Sequence, residues 1–201
     1  MVGTNAAVRQ ETQDISTAVL EGCDAFILSD ETSIGKSPVE STIQLAKAIV
    51  EAENVYDHEQ AFQEMRTISK EQGAQSSTID MLCTTATQIS LEDNNVEMFV
   101  VLTQTGKTAR VLAKQRPLQM ILACSTSPQV VRQVNTSRGV TGYKVPAHVK
   151  KHQDQLLQLV LKVAKEQGFC YPGNKVMVFT AENEGTLNES VNFKMIEIDE
   201  Q

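Results

Sequence analysis

The chain has 201 residues, is 41% hydrophobic and carries a formal net charge of −7. A chain of this size can bury one substantial core or two small ones, and its acidic balance argues against a nucleic-acid partner. We expect no membrane partner, because no apolar run approaches the roughly 20 residues that cross a bilayer and the first residues lack a signal-peptide pattern.

The cysteines predict a protein of a reducing compartment. Cys23, Cys83, Cys124 and Cys170 are scattered in apolar settings, with no CxxC pair and no His cluster nearby. We therefore expect buried free thiols, no metal site and a cytoplasmic location, with disulfides as the minor alternative.

The first part of the chain predicts a helix, a buried strand and a second, capped helix. The first helix is expected from about Asp14 to Glu21, and the apolar run Ala25 to Leu28 predicts the strand. In Ser37-Pro38-Val39-Glu40, the serine suits an N-cap, the proline suits the first helical position and the glutamate completes a capping box. The second helix should run to about Val55. Its apolar face is predicted to contain Ile43, Ala46, Ile49 and Val50.

A polar loop between that strand and the capped helix supplies the first candidate site. It contains Ser29, Glu31 and Thr32 directly after the strand. In barrels and in open parallel sheets, ligands bind at the loops that follow the carboxyl ends of strands. These three residues are therefore candidates for binding or catalysis.

The rest of the chain predicts a connector followed by an α/β unit. Residues 57–76 are polar and predict the connector, after which Ser77 can cap a helix to about Leu91. Apolar runs then alternate with helical patterns, and the last two runs are close enough to pair antiparallel on a mostly parallel sheet. Strands are expected over Met98–Leu102, Met120–Cys124, Val140–Val145, Lys175–Thr180 and Phe193–Ile198. Helices are expected over Thr108–Gln115, from Ser127-Pro128 onward, and over Gln153–Glu166.

The loop from Thr103 to Thr108 supplies the second candidate site. Its Gly106-Lys107-Thr108 is similar to the end of a nucleotide-binding P-loop, but that motif needs a glycine where Val101 lies inside a strand, so the P-loop assignment fails. What remains is a hydroxyl-rich turn at a helix N-terminus, which suits a phosphate or sulfate. The alternative is that Thr105 merely caps the helix.

Several segments resemble the pyruvate kinase family. The run from Glu11 to Asp24, with Leu28-Ser29-Asp30-Glu31-Thr32 and Gly35-Lys36-Ser37-Pro38-Val39-Glu40, resembles the last strand and helix of its catalytic barrel. The resemblance continues through Leu102–Ala109, Ala113–Pro117 and Ser127–Gln129 to Arg138-Gly139.

This resemblance implies an α/β fold in two parts. Residues 1–56 would be the remnant of a (β/α)8 barrel, namely its last strand and helix, and residues 57–76 a connector. Residues 77–201 would be the C-terminal effector and oligomerisation domain, with a mixed, mostly parallel sheet flanked by helices.

The same resemblance implies an activity that this chain carries only in part. Pyruvate kinase transfers the phosphoryl group of phosphoenolpyruvate to ADP in the last step of glycolysis, using Mg²⁺ and usually K⁺. In the family the metal-binding carboxylates, the lysine and the arginines lie on earlier barrel strands. Ser29 matches a serine that helps in a proton relay, Glu31 and Thr32 match neighbours that shape the same loop, and the lysine near the nucleotide falls on Ile34. We therefore expect this chain alone to be inactive and to hold no cofactor.

The resemblance also assigns the second loop. Thr103, Gln104, Thr105, Gly106 and Thr108 would form the cradle for a phosphate of an allosteric effector, often fructose 1,6-bisphosphate. Family members that respond to the bisphosphate have a Trp-Arg pair after the penultimate strand. Here Glu182 and Glu184 follow that strand, and their charge should repel a second phosphate.

The expected partners follow from this assignment. They are a phosphorylated effector or other anion, and other subunits, either of a homo-oligomer such as a tetramer or of a missing barrel. The alternative function is a free-standing, non-catalytic anion-binding or interaction module derived from pyruvate kinase.

Overall fold

The computed structural model describes residues 1–3, 9–71, 77–146, 153–182, 184 and 190–199. The chain divides into two compact units, residues 1–57 and residues 58–201. Unit 1 contains helices α1 (Arg9–Leu20), α2 (Asp30–Ser33) and α3 (Pro38–Glu53). The helices of unit 2 are α4 (His58–Glu71), α5 (Thr78–Glu92), α6 (Lys107–Lys114), α7 (Pro128–Val134) and α8 (Gln153–Glu166). Its strands are β1 (Val96–Leu102), β2 (Met120–Ser125), β3 (Val140–Lys144), β4 (Lys175–Glu182) and β5 (Ser190–Glu197). Among the helices in these ranges, not one combines the length and the apolar character of a membrane span.

Unit 1 does not form the predicted strand. Residues Ala25 to Leu28 have no regular secondary structure, and the side chain of Ile27 is 94% exposed. A β-strand is stabilised by backbone hydrogen bonds to a neighbouring strand. The described part of unit 1 contains no other strand with which this run could pair. The strand prediction was therefore wrong for this structure, although the run is as apolar as expected.

The packing face of α3 also differs from the prediction. Leu45 and Ala48 pack against Ile15 of α1, whereas Ile43 and Val50 are 41% and 56% exposed. Of the predicted face, Ile49 is half-buried and packs against this cluster, whereas Ala46 is exposed like Ile43 and Val50. The buried residues of α3 are small or polar at several positions, which lets α1 approach closely, so apolar character alone identified only part of the packing face. The Ser37 side chain makes no capping hydrogen bond, although Pro38 occupies the first turn as expected. Buried residues of α3 are Ser41, Leu45, Ala48 and Ala52.

The segment predicted as a connector contains helix α4, which groups with unit 2. Phe62 of α4 is fully buried, and the Arg66 guanidinium lies 5.6 Å from the centre of its ring. Arg66 also donates a hydrogen bond of 2.8 Å to the side chain of Gln88 on α5. The apolar residues Phe62, Met65 and Ile68 are spaced as in an amphipathic helix, and this is the signal that a polar average composition concealed.

Unit 2 has the predicted mixed sheet, in the order β3-β2-β1-β4-β5. The first four strands are parallel and β5 is antiparallel to β4. Phe99 and Val101 face one core, which also includes residues of α5, α6 and α7, and Met98 and Val100 face a second core built with α8. Because both faces of β1 are covered, its sequence is almost continuously apolar, as expected of a central parallel strand.

The helix boundaries in unit 2 follow local sequence signals. Ser77 caps α5 as predicted, and it forms a capping box with Asp80. Ser127 caps α7, with Pro128 in the first turn. Helix α8 has the predicted bounds, and Gly168 follows it at φ +74°, a conformation that glycine adopts without strain.

The strand order creates one crevice. From β1 the chain steps to β2 and β3 on one side, and β4 then returns to the other side of β1. Leu102 at the end of β1 pairs with Thr180 of β4, so the segments that follow these two strands leave the sheet side by side. In open α/β sheets, ligands bind at the carboxyl ends of strands where the order reverses in this way.

Candidate functional site

The turn between β1 and α6 is held in a narrow conformation. Gly106 has φ +79° at the N-cap of α6, and its N–H donates a 2.8 Å hydrogen bond to the Thr103 hydroxyl. A Cβ at position 106 would lie 2.8 Å from a methyl carbon of Val134 and 2.9 Å from a guanidinium nitrogen of Arg110. Glycine is therefore required here for both conformation and space. The turn directs the next free N–H groups of the helix start towards one point.

That point is occupied by the carboxylate of Glu184, which lies just beyond the end of β4. One oxygen, Oε1, accepts hydrogen bonds from the hydroxyls of Thr103 (2.8 Å) and Thr108 (2.6 Å) and from the Thr108 N–H (3.3 Å). The other, Oε2, accepts from the hydroxyls of Thr103 (2.7 Å) and Thr105 (2.8 Å) and from the N–H groups of Gln104 (2.9 Å) and Thr105 (2.7 Å). We call Thr103, Gln104, Thr105, Gly106 and Thr108 the cradle.

The cradle holds this carboxylate in its ionised form. Glu184 is only 7% exposed, and burial by itself raises the pKa of its carboxyl. The hydrogen bonds from the Thr108 hydroxyl, the Thr105 N–H and the hydroxyls of Thr103 and Thr105 outweigh that effect and lower the pKa to about 2. The hydroxyl and N–H dipoles at this helix start thus stabilise the negative charge. None of the described hydrogen bonds to the carboxylate comes from a cationic side chain.

The structure brings all five residues of the predicted cradle together. Four of them donate to Glu184 directly, and Gly106 supports Thr103. The N-cap of α6 is Gly106 and not Thr105. The Thr105 hydroxyl donates to Glu184 and also accepts a 3.3 Å hydrogen bond from the Lys107 N–H.

Glu184 itself lies in a different place from the one expected. The sequence predicted its charge at the place of a second phosphate. In the structure its carboxylate instead accepts hydrogen bonds from the donors that were expected to bind the first phosphate. The difference has a physical reason, since buried N–H and hydroxyl donors require an acceptor, and the segment after β4 can supply one.

A cavity of about 300 Å³ adjoins the cradle at the same edge of the sheet. Thr103 and Gln104 line both the cavity and the cradle, and Glu182 of β4 lines the cavity as well. Its apolar lining comes from Leu102, Cys124, Val145, Leu156 and Ala181, and its other polar lining from Ser125, Thr126 and Thr180. The site thus combines an anion-stabilising turn with a small, partly apolar space.

The four cysteines lie within the described ranges and form no disulfide, as predicted, and Cys83, Cys124 and Cys170 are buried. Cys23 is only half-buried, so the prediction of burial was wrong for it. Burial raises the pKa of Cys124, which lines the cavity, to about 12. Burial, with a smaller effect of Asp80, does the same for Cys83. These thiols are protonated at neutral pH and are poor nucleophiles.

The first candidate site lies in unit 1, around the short helix α2. The Ser29 N–H donates to the Glu31 carboxylate at 3.1 Å, and the Thr32 hydroxyl donates to the Ser29 carbonyl at 3.2 Å. Ser29 and Thr32 are exposed and Glu31 is half-buried. The three residues are neighbours in one local turn, which holds them together without enclosing them.

Metal binding finds no support in the residues that the structure describes. Over these ranges, no group of three or more His, Cys, Asp or Glu side chains could hold a metal ion.

Comparison with known proteins gives concordant results. Residues 77–196 match the family model described as pyruvate kinase, alpha/beta domain. The chain is 34% identical over 174 residues to pyruvate kinase from Eimeria tenella, covering 84% of this chain and 31% of that protein. It is 31% identical over 195 residues to pyruvate kinase PKLR from Homo sapiens, covering 92% of this chain and 32% of that protein. A crystal structure of a pyruvate kinase from Cryptosporidium parvum has the same fold, with a TM-score of 0.84 at 24% identity, over 98% of this chain and 37% of that one. The chain therefore spans about a third of the length of these relatives.

Proposed function

This chain belongs to the pyruvate kinase family, and we propose that it serves as the C-terminal part of such an enzyme, binding a regulatory anion and joining subunits. The reaction would be phosphoryl transfer from phosphoenolpyruvate to ADP, giving pyruvate and ATP as the last step of glycolysis in the cytoplasm.

One observation carries the regulatory role. The hydroxyls of Thr103, Thr105 and Thr108 converge with backbone N–H groups on a single buried anion at the start of α6. Phosphate oxygens accept hydrogen bonds from the same donors that a carboxylate uses. The cradle therefore suits the phosphate of an effector.

The neighbouring cavity supports a phosphorylated ligand with a small organic body. Its volume of about 300 Å³ falls at the lower end of small-molecule sites. Glu182 in its lining disfavours a second phosphate, so we propose an effector with one phosphate, and we expect fructose 1,6-bisphosphate to bind weakly or not at all.

The proposed catalytic contribution of this chain is confined to one loop. Ser29 would take part in a proton relay, with Glu31 and Thr32 shaping the loop around it. Among the described residues no group of three or more His, Cys, Asp or Glu side chains could hold a metal ion, and we propose that other parts of the enzyme bind Mg²⁺ and K⁺. A transition state with several developing charges needs more than one hydroxyl loop, and the isolated chain is therefore proposed to be inactive.

An edge strand supports the proposed role in assembly. Of the described strands, β5 pairs only with β4, so its other edge carries backbone groups that a second chain could pair with. A homo-oligomer joined through this edge would extend the sheet across two subunits.

A chimeric enzyme tests the proposed function. The part of Eimeria tenella pyruvate kinase that precedes the matched region would be joined to this chain, and pyruvate formation from phosphoenolpyruvate and ADP would be measured with Mg²⁺ and K⁺. We expect activity from the chimera, none from the isolated chain, and slower turnover after Ser29→Ala. The matched control is Ser33→Ala in the same loop, which should leave turnover unchanged. A folded chimera without activity would contradict the proposal.

A further inference from the structure

Glu184 occupies the position that a bound phosphate would need. Its two oxygens accept every described hydrogen bond that the cradle directs outward, from three hydroxyls and three N–H groups. The donor distances for the hydroxyls, 2.6 to 2.8 Å, are those of hydrogen bonds to a charged acceptor. An external anion and this carboxylate cannot use the same donors at once.

The cradle cannot be left empty at low cost. Thr103 and Thr108 are 6% and 0% exposed. A buried donor without an acceptor destabilises the folded state by its full desolvation penalty. Either Glu184, another anion or ordered water must fill the place. Glu184 has the advantage of being part of the chain, since a tethered group binds at a high effective concentration.

The surroundings of the carboxylate favour an anion, but they do not distinguish a carboxylate from a phosphate. Arg110, on the first turns of α6, donates at 3.3 Å to the Thr105 carbonyl rather than to Glu184. The described contacts of the carboxylate are hydrogen bonds from hydroxyls and N–H groups, and each of these donors would serve a phosphate oxygen equally well.

We infer that Glu184 is the resident ligand of the cradle and determines which anion the site accepts: in this chain an internal carboxylate competes with free phosphate for the same donors. The inference rests on the proposed function of the cradle as an anion site. It adds that the site is regulated from within, by the competition between Glu184 and an outside phosphate.

The inference predicts the size of the effect. If Glu184 is absent from the cradle less than about a tenth of the time, the apparent dissociation constant for phosphate is raised at least about tenfold. Removing the carboxylate should therefore lower the apparent dissociation constant for phosphate by the same factor. Neutralising Glu97, which is exposed near the start of β1 and so lies at the opposite end of that strand from the cradle, should not.

Calorimetric titration with inorganic phosphate at neutral pH tests this on the 201-residue chain. We expect Glu184→Ala to bind phosphate at least about tenfold more tightly than the unmodified chain, and the control Glu97→Gln to behave like the unmodified chain. Glu184→Gln, which keeps the size of the side chain, replaces Glu184→Ala if the alanine variant does not fold, and it should also bind more tightly than the unmodified chain.

The outcomes separate this inference from the proposed function. Equal phosphate binding by the unmodified chain and by Glu184→Ala, abolished in both by Thr108→Val, would overturn the inference and leave the anion site standing. No binding by any folded variant would overturn the anion site, and the inference with it.

Discussion

Replacing Glu184 by glutamine should cost the protein about 3 kcal/mol of stability. In the folded chain the pKa of this carboxyl is about 2, against an ordinary value of 4.5. At about 1.4 kcal/mol per pKa unit, the folded structure therefore favours the charged form over the neutral one by about 3 kcal/mol. Glutamine has the shape of the neutral form and brings an NH₂ group towards donors that need an acceptor, so the substitution should remove a contribution of that size.

The pH dependence of this loss has a defined sign. A carboxyl whose pKa is lowered by folding contributes stability that is complete above its unfolded value, here about 4.5, and that is lost as the pH falls through its folded value of about 2. The difference in free energy of unfolding between the unmodified chain and Glu184→Gln should therefore be constant from neutral pH to about pH 5. It should shrink steadily at lower pH, because the protonated glutamate then resembles glutamine.

Urea denaturation followed by circular dichroism measures this difference, with Glu182→Gln as the control. The control, at the exposed end of β4, should change the free energy of unfolding by no more than about 0.5 kcal/mol. A loss below about 1 kcal/mol for Glu184→Gln at neutral pH, or a loss equal to that of the control, would refute the idea that the cradle holds a buried, charge-stabilised carboxylate.

Two further predictions concern the scaffold. A Cβ at Gly142 would overlap the carbonyl oxygen of Val131 in α7, so Gly142→Ala should destabilise unit 2 by about 2 kcal/mol or more in urea denaturation. Thr141→Ala on the same strand should change the free energy of unfolding little, and a tolerated Gly142→Ala would show that α7 does not pack against β3 as described. In hydrogen exchange of the whole chain, the amides of Ala25 to Leu28 should exchange faster than those of Met98 to Leu102, because the former have no strand partner and the latter lie in the centre of the sheet; slower exchange in the first segment would contradict this difference.

The strands and most helices of unit 2 were predictable because their signals are local. Apolar runs of strand length alternate with helical spacing, and Ser77 and Ser127 mark helix starts that the structure confirms. Parallel pairing also follows, since helices separate successive strands. The order of the strands, with β4 beside β1, was not predicted, because it depends on which faces the helices cover rather than on any one segment.

The failures in unit 1 have a common cause. The run Ala25 to Leu28 has the composition of a strand, but the composition of one segment does not supply the neighbour that a strand requires. The buried face of α3, with Leu45 and Ala48, likewise depends on its contact with α1. Local sequence patterns indicate the secondary structure that a segment favours, whereas its contacts with other segments determine the structure that it adopts.

The cradle residues were predictable and its occupant was not. Hydroxyls and a glycine at a helix start suggested either an anion site or a simple helix cap in Thr103 to Thr108, and the family resemblance supplied the assignment of the five cradle residues. Glu184 is distant along the chain and reaches the cradle only because β1 and β4 are adjacent in the sheet. Its position after the penultimate strand was the available signal, and the strand order was the missing information.

The titration of Glu184 tests the central claim most directly. The amide signals of Gln104 and Thr105, whose N–H groups bind its carboxylate at 2.9 and 2.7 Å, can be followed by NMR as the pH is lowered. We predict that both amides report a single titration with a midpoint near 2, and that they stay unchanged between pH 5.5 and about pH 3.5. A midpoint near the ordinary value of 4.5, or amides that do not respond to the carboxylate, would show that Glu184 does not occupy the cradle.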